Sequence, residues 1–178
     1  MQQSTAMNAE ARDEFTSLLL EHRRLVLKVV HMYARGGADA QDLAQEIATQ
    51  VWRAFPGYDR SRRFSTWMYR IALNVAISWL RTETPRRRHS APFDPEVHEP
   101  EAEAGADDSE TDERQRILRG FIAAQEPLNR AVLLLYLEEH SYAEMSEILG
   151  VSETSLTTKI GRLKERLRTY AEKHHGTR

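Results

Sequence analysis

Residues 141–167, SYAEMSEILGVSETSLTTKIGRLKERL, carry the clearest secondary-structure signals in this chain. Ser141 and Glu144 form an S-x-x-E capping box, which predicts the start of a helix. Gly150 predicts the end of that helix, and Ser152 predicts the cap of a second one. Two helices joined by a tight turn that contains glycine are typical of a DNA-binding helix-turn-helix.

The predicted second helix has an apolar face and a polar face. Leu156, Ile160, Leu163 and Leu167 recur at helical spacing and predict one buried stripe. Hydroxyls and cations occupy the rest of the surface: Thr154, Ser155, Thr157, Thr158, Lys159, Arg162, Lys164 and Arg166. An ordinary helical hairpin with a solvated cationic surface is the alternative. The order of cap, glycine, second cap and stripe favours the helix-turn-helix.

The composition predicts a small helical protein without disulfides. Its 178 residues include only eight Gly and six Pro, and runs of alternating β-branched residues are absent. With no Cys, disulfides and thiolate metal sites are excluded. Neither a signal peptide nor an apolar run of the roughly 18–20 residues that span a bilayer is found. We therefore expect a soluble, cytoplasmic protein.

Charge is distributed very unequally along the chain. Residues 11–93 contain fourteen Arg or Lys against eight Asp or Glu, and residues 114–178 contain eleven against eight. Between them, 94–113 holds ten acidic residues and no Arg or Lys. This pattern predicts an all-α protein of two small domains, a helical bundle at 11–93 and a helix-turn-helix domain at 114–173. An acidic flexible linker, 94–113, joins them.

Apolar periodicity and helix-terminating residues predict the remaining helices. The expected spans are 11–34, 39–55, 65–81 and 114–125, with Pro127 opening a further helix. Asp39 is the expected N-cap of the second helix, and Leu43, Ile47 and Val51 are its expected core stripe. In the third helix, Trp67 and Trp79 are expected to face the core and Tyr69 to lie on the surface.

The second predicted helix carries an acidic surface that permits three interpretations. Asp39, Asp42 and Glu46 lie at i, i+3 and i+7, beside Gln45 and Arg53. The helix dipole favours acids near a helix N-terminus, but this explains Glu46 poorly. A metal or acid–base site is the second interpretation, although no matching carboxylate–histidine helix is evident. A face that docks on a basic partner protein is the third.

Residues 58–64, YDRSRRF, combine cations with aromatic rings. Single-stranded nucleic acid is bound by this combination, because cations neutralise phosphates and rings stack on unpaired bases. The sequence therefore predicts a single-stranded nucleic-acid site at this connection.

Three segments resemble the bacterial sigma factors of the extracytoplasmic-function (ECF) group. Residues 39–55 resemble their core-polymerase-binding helix, and residues 63–81 resemble the segment that melts and recognises the −10 element. Residues 137–151 and the helix that follows are similar to the region that reads the −35 element. The resemblance implies a transcription initiation factor that is not an enzyme and uses no cofactor. Its implied partners are core RNA polymerase, promoter DNA, and an anti-sigma factor or other regulator that covers the free protein; occlusion of one domain by the other is the alternative to such a partner.

The resemblance also implies a role for individual residues. The polymerase-binding residues would be Asp39, Asp42, Gln45, Glu46 and Arg53. The −10 DNA-binding residues would be Tyr58, Arg60, Arg62, Arg63, Phe64, Arg70 and Asn74. The −35 DNA-binding residues would be Ser155, Thr157, Thr158, Lys159 and Arg162. No catalytic or metal-binding residue is implied.

Some features depart from the family pattern or permit another class of protein. Thr157 and Gly161 stand where Lys and His are frequent, which lowers the positive charge of the face expected to contact DNA. A stand-alone helix-turn-helix regulator that dimerises through its N-terminal helices is the main alternative. A metal-dependent enzyme that uses the acidic surface is the other.

Overall fold

The computed structural model describes residues 8–87 and 109–174, with side chains from 8 to 82 and from 112 to 174. Secondary structure in these ranges is entirely helical. The helices are α1 (Ala9–Glu21), α2 (Arg23–Tyr33), α3 (Gly37–Ala54), a 3-10 turn (Phe55–Gly57), α4 (Phe64–Arg87), α5 (Ser109–Ala123), α6 (Pro127–Leu137), α7 (Tyr142–Leu149) and α8 (Glu153–His174). No helix among these residues is long and apolar enough to cross a membrane.

The chain divides into two compact units, Met1–His98 and Glu99–Arg178. Helices α1 to α4 belong to the first unit and α5 to α8 to the second, so the fold class is all-α with two small helical domains. Residues 94–108 of the predicted acidic linker lie outside the described residues. Helix α5 begins at Ser109 rather than near residue 114, so residues 109–113, predicted as linker, are helical.

The core of the first unit lies where α2, α3 and α4 pack against one another. On α3, Leu43, Ile47 and Val51 recur every four residues and are completely buried. The predicted core stripe of α3 is therefore confirmed. Because this stripe faces inward, the acidic surface of α3 faces solvent.

The single helix predicted at 11–34 is wrong: two helices, α1 and α2, meet at His22. The backbone of His22 (φ −99°, ψ 12°) leaves the α-helical region. Its N–H donates to the Leu18 carbonyl oxygen at 3.1 Å, and its ring Nδ1 lies 2.9 Å from the same oxygen. Apolar periodicity does not register such a local side-chain contact, which competes with the helical hydrogen bonds.

The predicted N-cap of α3 is also wrong. Gly36 is the N-cap, and Asp39 lies in the first turn, where the partial positive charge of the helix end favours a carboxylate. The Gly36 carbonyl oxygen accepts the first helical hydrogen bond, from the Ala40 N–H at 2.9 Å. The Gly36–Gly37 pair therefore begins α3 rather than ending the preceding helix.

Helix α4 is longer than predicted, and the face that it buries differs from the predicted one. It extends over Phe64–Arg87 instead of 65–81. Its most buried residues are Met68, Tyr69, Ala72, Leu73 and Ala76. Tyr69, expected on the surface, is buried, whereas Trp67 and Trp79, expected in the core, are only half-buried. The buried face follows from packing against both α2 and α3, which the periodicity of one helix cannot specify.

In the second unit, α5, α6 and α7 all pack against α8. Pro127 occupies the first turn of α6, as predicted, where its missing N–H costs nothing. Residues 131–135 of α6 are buried in succession, so this helix is surrounded by its neighbours. Leu128 and Tyr136 of α6 are half-buried.

The predicted helix-turn-helix is confirmed as α7 and α8. The Glu144 N–H donates to Ser141 Oγ at 3.2 Å, and the Ser141 N–H donates to Glu144 Oε2 at 3.0 Å, which completes the capping box. Gly150 ends α7 in the left-handed conformation (φ 66°). Ser152 Oγ then accepts from the Ser155 N–H at 3.3 Å. In α8, Leu156, Ile160 and Leu163 are buried and Leu167 is half-buried.

Two glycines of this motif predict opposite effects of alanine. Gly150→Ala should lower the free energy of unfolding by about 1 kcal/mol, because a side chain disfavours the left-handed conformation. Gly161→Ala should raise it by about 0.5–1 kcal/mol, because its Cβ would meet no atom within 4 Å and alanine favours the helix. Urea unfolding followed by circular dichroism measures both. Changes of the same sign would contradict the assignment of the turn.

Candidate functional site

Five aromatic residues form a cluster where α1, α3 and α4 meet: Phe15, Phe55, Tyr58, Phe64 and Trp67. Phe55, at the end of α3, is 1% exposed and is the centre of this aromatic cluster. Its ring centroid lies 5.1 Å from that of Phe15, 5.9 Å from that of Tyr58, 6.3 Å from that of Phe64 and 6.3 Å from that of Trp67. Tyr58 and Phe64 are buried, so their rings support the connection between α3 and α4 and present no face to a base.

Residues 58–63, called here the basic loop, form a turn held by its own backbone. The Tyr58 hydroxyl donates to the Arg62 carbonyl oxygen at 2.6 Å. The Asp59 carboxylate accepts from the Ser61 N–H at 2.9 Å, which lowers the pKa of Asp59. Burial raises the pKa of the Tyr58 phenol. The exposed side chains of Arg62 and Arg63 therefore project from an ordered loop.

The remaining arginine of the basic loop, Arg60, contacts α1. Arg60 Nε donates to Glu14 Oε1 at 2.9 Å, and its terminal nitrogen donates to the second carboxylate oxygen. The guanidinium carbon also lies 5.8 Å from the centroid of the Phe55 ring. The hydrogen bond from Arg60 holds the pKa of Glu14 below its usual value.

An outward stripe of α4 continues from the basic loop. Arg63, Trp67, Arg70 and Asn74 follow one another at intervals of four, three and four residues, so they share one face of the helix. Arg70 and Asn74 are exposed, and Trp67 is half-buried. Sequence reasoning missed Trp67 because it assigned this ring to the core. The helical spacing of Trp67 from Arg63 and Arg70 was the sequence feature that could have placed this ring on the same outward face.

The acidic surface of α3 lies on one solvent-facing side of that helix. Asp42, Gln45 and Arg53 are exposed, while Asp39 and Glu46 are half-buried. Gln50 Nε2 donates to Glu46 Oε1 at 2.7 Å, which fixes this carboxylate in position. Within the described ranges, no group of three acidic or histidine side chains is arranged to hold a metal ion.

Beside the acidic surface, Trp52 is 39% exposed. Its ring meets the Phe15 ring edge-on, with centroids 5.0 Å apart. Aromatic residues are enriched in protein interfaces, because they bury a large area with few rotatable bonds. Trp52 is therefore a further candidate for a docking contact, which the sequence interpretation did not select.

The polar face of α8 lines an open groove of 440 Å³. Its lining residues are Asn129, Thr154, Ser155, Thr158, Lys159, Arg162, Leu163 and Arg166. Four of the five predicted contacts of α8 therefore lie together, and Thr157 is exposed outside this set. Arg166 was not among the predicted contacts, although its four-residue spacing from Arg162 places it on the same face of α8. Asn129 was missed, because it reaches the groove from α6.

The threonine hydroxyls of α8 are oriented by the helix itself. Thr157 Oγ1 donates to the Glu153 carbonyl oxygen at 2.9 Å, and Thr158 Oγ1 donates to the Thr154 carbonyl oxygen at 3.1 Å. A hydroxyl that donates to the backbone retains acceptor capacity for an amino group of a base.

The chain is similar in sequence to known families and proteins. Residues 18–86 match the family described as Sigma-70 region 2, and residues 116–167 match Sigma-70, region 4. The RNA polymerase sigma factor CarQ of Myxococcus xanthus is 30% identical over 158 residues, which cover 89% of each chain. The ECF RNA polymerase sigma factor SigW of Bacillus subtilis is 25% identical over 169 residues, which cover 88% of each chain.

Two further matches differ in their extent. The ECF RNA polymerase sigma factor SigG of Mycobacterium tuberculosis is 28% identical over 189 residues, and the chain spans 49% of its length. A solved complex of the sigma factor RpoE with the anti-sigma factor NepR from Bartonella quintana matches with a TM-score of 0.67. Its sequence identity is 17%, and the match covers 90% of this chain and 98% of that chain. This protein belongs to the ECF group of RNA polymerase sigma factors. Sigma factors are transcription initiation factors.

The hydrogen bond from Tyr58 gives a test of the basic loop. Tyr58→Phe should lower the free energy of unfolding by about 1 kcal/mol, because the Arg62 carbonyl oxygen loses its donor while the aromatic cluster is retained. Tyr58→Ala removes the ring as well and should cost about 3–5 kcal/mol. Thermal or urea unfolding measures both. Equal effects of the two substitutions would contradict a separate role for the hydroxyl.

Proposed function

We propose that this protein binds core RNA polymerase, directs it to a set of promoters and assists strand opening at the −10 element. The observation that carries this proposal is that one small unit has both a solvent-facing acidic surface on α3 and a cationic stripe on α4 and the basic loop. The second unit adds a helix-turn-helix. In this proposal residues 11–93 contain the polymerase-binding and −10 functions, and residues 114–173 contain the −35 function. The protein acts in the cytoplasm, without a cofactor and without enzymatic activity.

Polymerase binding is assigned to the acidic surface of α3. Asp39, Asp42, Gln45, Glu46 and Arg53 are the proposed contacts, with Trp52 added at the edge. A rigid helix that presents carboxylates to a basic partner speeds encounter and fixes its register. The repeated burial of Leu43, Ile47 and Val51 holds α3 in place, so little order has to be gained on docking.

Recognition of the melted −10 strand is assigned to the outward stripe of α4 and to the basic loop. Arg62, Arg63 and Arg70 supply positive charge, Asn74 supplies an amide, and Trp67 supplies a partly exposed ring. The ring can stack only on an unpaired base, and the cations hold the phosphates of the same strand. The buried Tyr58 and Phe64 keep a supporting role in this proposal, because their rings are occupied within the aromatic cluster.

Recognition of the −35 element is assigned to the groove of α8. Ser155, Thr158, Lys159 and Arg162 are the proposed groove contacts, and Thr157 lies beside them. A recognition helix in the major groove reads bases through arginine and hydroxyl contacts, while lysine and backbone groups hold the phosphates. Asn129 on α6 is suited to a phosphate contact at the rim of this groove.

An anti-sigma factor is a proposed partner of the free protein. Two structural neighbours, CnrH and RpoE, were solved as complexes, with the cytosolic domain of CnrY and with the anti-sigma factor NepR. The polymerase-binding and DNA-binding surfaces proposed here are exposed, and a protein that covers them would prevent premature engagement. A stand-alone regulator would not need the acidic surface, so this alternative is not favoured.

Reversal of two charges on α3 tests polymerase binding. Asp42→Arg with Glu46→Arg should weaken binding to core polymerase at least about a hundredfold, since unfavourable charge contacts at an interface cost several kcal/mol. Folding should be preserved, because neither residue is buried. Competition binding with labelled sigma factor measures the affinity. Asp13→Arg with Glu21→Arg, on exposed positions of α1, makes the same change in net charge and serves as the control. Equal loss in both variants, or none in the first, would contradict the docking surface.

An arginine pair on α8 tests the groove. Arg162→Ala should weaken −35-dependent binding of the holoenzyme by about tenfold, the usual cost of losing a specific contact. Arg168→Ala is the matched control, because Arg168 is exposed on the same helix and its guanidinium lies 3.2 Å from the Glu165 carboxylate. Binding to promoters with intact and scrambled −35 elements separates specific from general affinity. Equal effects of the two substitutions would contradict the groove assignment.

A further inference from the structure

Part of the support of the basic loop comes from residues that precede the family match. The match to Sigma-70 region 2 begins at residue 18, whereas Glu14 and Phe15 lie earlier, within α1. Phe15 is 5% exposed and joins the aromatic cluster, which fixes the position of α1 against the first unit. Glu14, its neighbour, is thereby brought to the basic loop.

The contact between Glu14 and Arg60 has the geometry of a directed pair. Both carboxylate oxygens accept from the guanidinium, and the two residues are 46 positions apart in sequence. A bidentate pair restrains orientation as well as distance. The proximity of the Arg60 guanidinium to the Phe55 ring adds a second restraint from the core. Arg60 is therefore held by groups of the protein at the position where a phosphate contact was expected from sequence.

We infer that Glu14 is a positioning residue, which holds Arg60 and so keeps the basic loop in the geometry that receives the −10 strand. In this arrangement Arg60 braces the loop, and the charge that meets DNA comes from Arg62 and Arg63. The inference rests on the proposed function of the loop. The loop is ordered when the protein folds, so DNA binding does not carry the entropy cost of ordering it.

The two possible roles of Arg60, a brace of the loop and a phosphate contact, predict opposite effects of removing Glu14. If Arg60 bound a phosphate, Glu14 would compete with that phosphate, and its removal would strengthen DNA binding. If Arg60 braces the loop, removal of Glu14 weakens binding. Salt dependence also separates the two roles. Affinity for a single strand falls as salt rises, and each lost phosphate contact makes the slope of log affinity against log salt shallower by about 0.7.

The experiment uses the full chain with core polymerase and a promoter that carries a fluorescent base in the −10 strand. Glu14→Gln and Arg60→Ala should each slow strand opening by about three- to fivefold, in line with the modest strength of exposed pairs. The double variant should be no slower than either single one. Glu14→Arg with Arg60→Glu should recover most of the rate. Asp13→Asn, an adjacent exposed acid with the same charge change, should behave as the original protein.

For binding to the single −10 strand, the slope of log affinity against log salt should be unchanged in Glu14→Gln and Arg60→Ala. In Arg62→Ala this slope should become shallower by about 0.7. Faster opening or no change in Glu14→Gln, or a reduced slope in Arg60→Ala, would overturn the inference. These outcomes are distinct from failure of the proposed function, in which the original protein itself would open no promoter with core polymerase.

Discussion

Burial of the Phe55 ring is the interaction on which the first unit depends. This one residue ends α3 and contacts rings from α1, from the basic loop and from the start of α4. The surface proposed to dock on polymerase and the surface proposed to meet DNA are therefore parts of one packed body. Aromatic packing of this kind resists small displacements, because a closely packed core repacks discretely rather than deforming continuously.

Polar chemistry in both units is placed on the outside of helices whose inner faces are conventional cores. The proposed polymerase contacts lie on α3, and the proposed −10 contacts lie on α4 and the basic loop. In α8 the buried Leu156, Ile160 and Leu163 fix the rotation of the helix and so aim its hydroxyls and cations at the groove. Fold and proposed function thus depend on the same apolar periodicity, which is what links a short sequence pattern to a binding surface.

The sequence predicted the helix-turn-helix in detail, because the capping box, Gly150 and Ser152 act through local backbone chemistry. It also predicted the core stripe of α3. It failed where apolar periodicity carries no signal. A local contact between His22 and the Leu18 carbonyl oxygen interrupts the first helix, and packing of α4 against α2 and α3 turns Tyr69 inward. Glu14 and Asn129 were missed for the same reason, since each reaches its site from a helix distant in sequence.

The central claim is that specific promoter opening requires both this protein and core RNA polymerase. Run-off transcription of a genomic library with purified core polymerase, with and without the protein, tests it most directly. The account predicts new start sites that share −10 and −35 elements and appear only when both components are present. Sequence-specific protection of DNA by the protein alone, with no new start sites and no binding to core polymerase, would contradict the account.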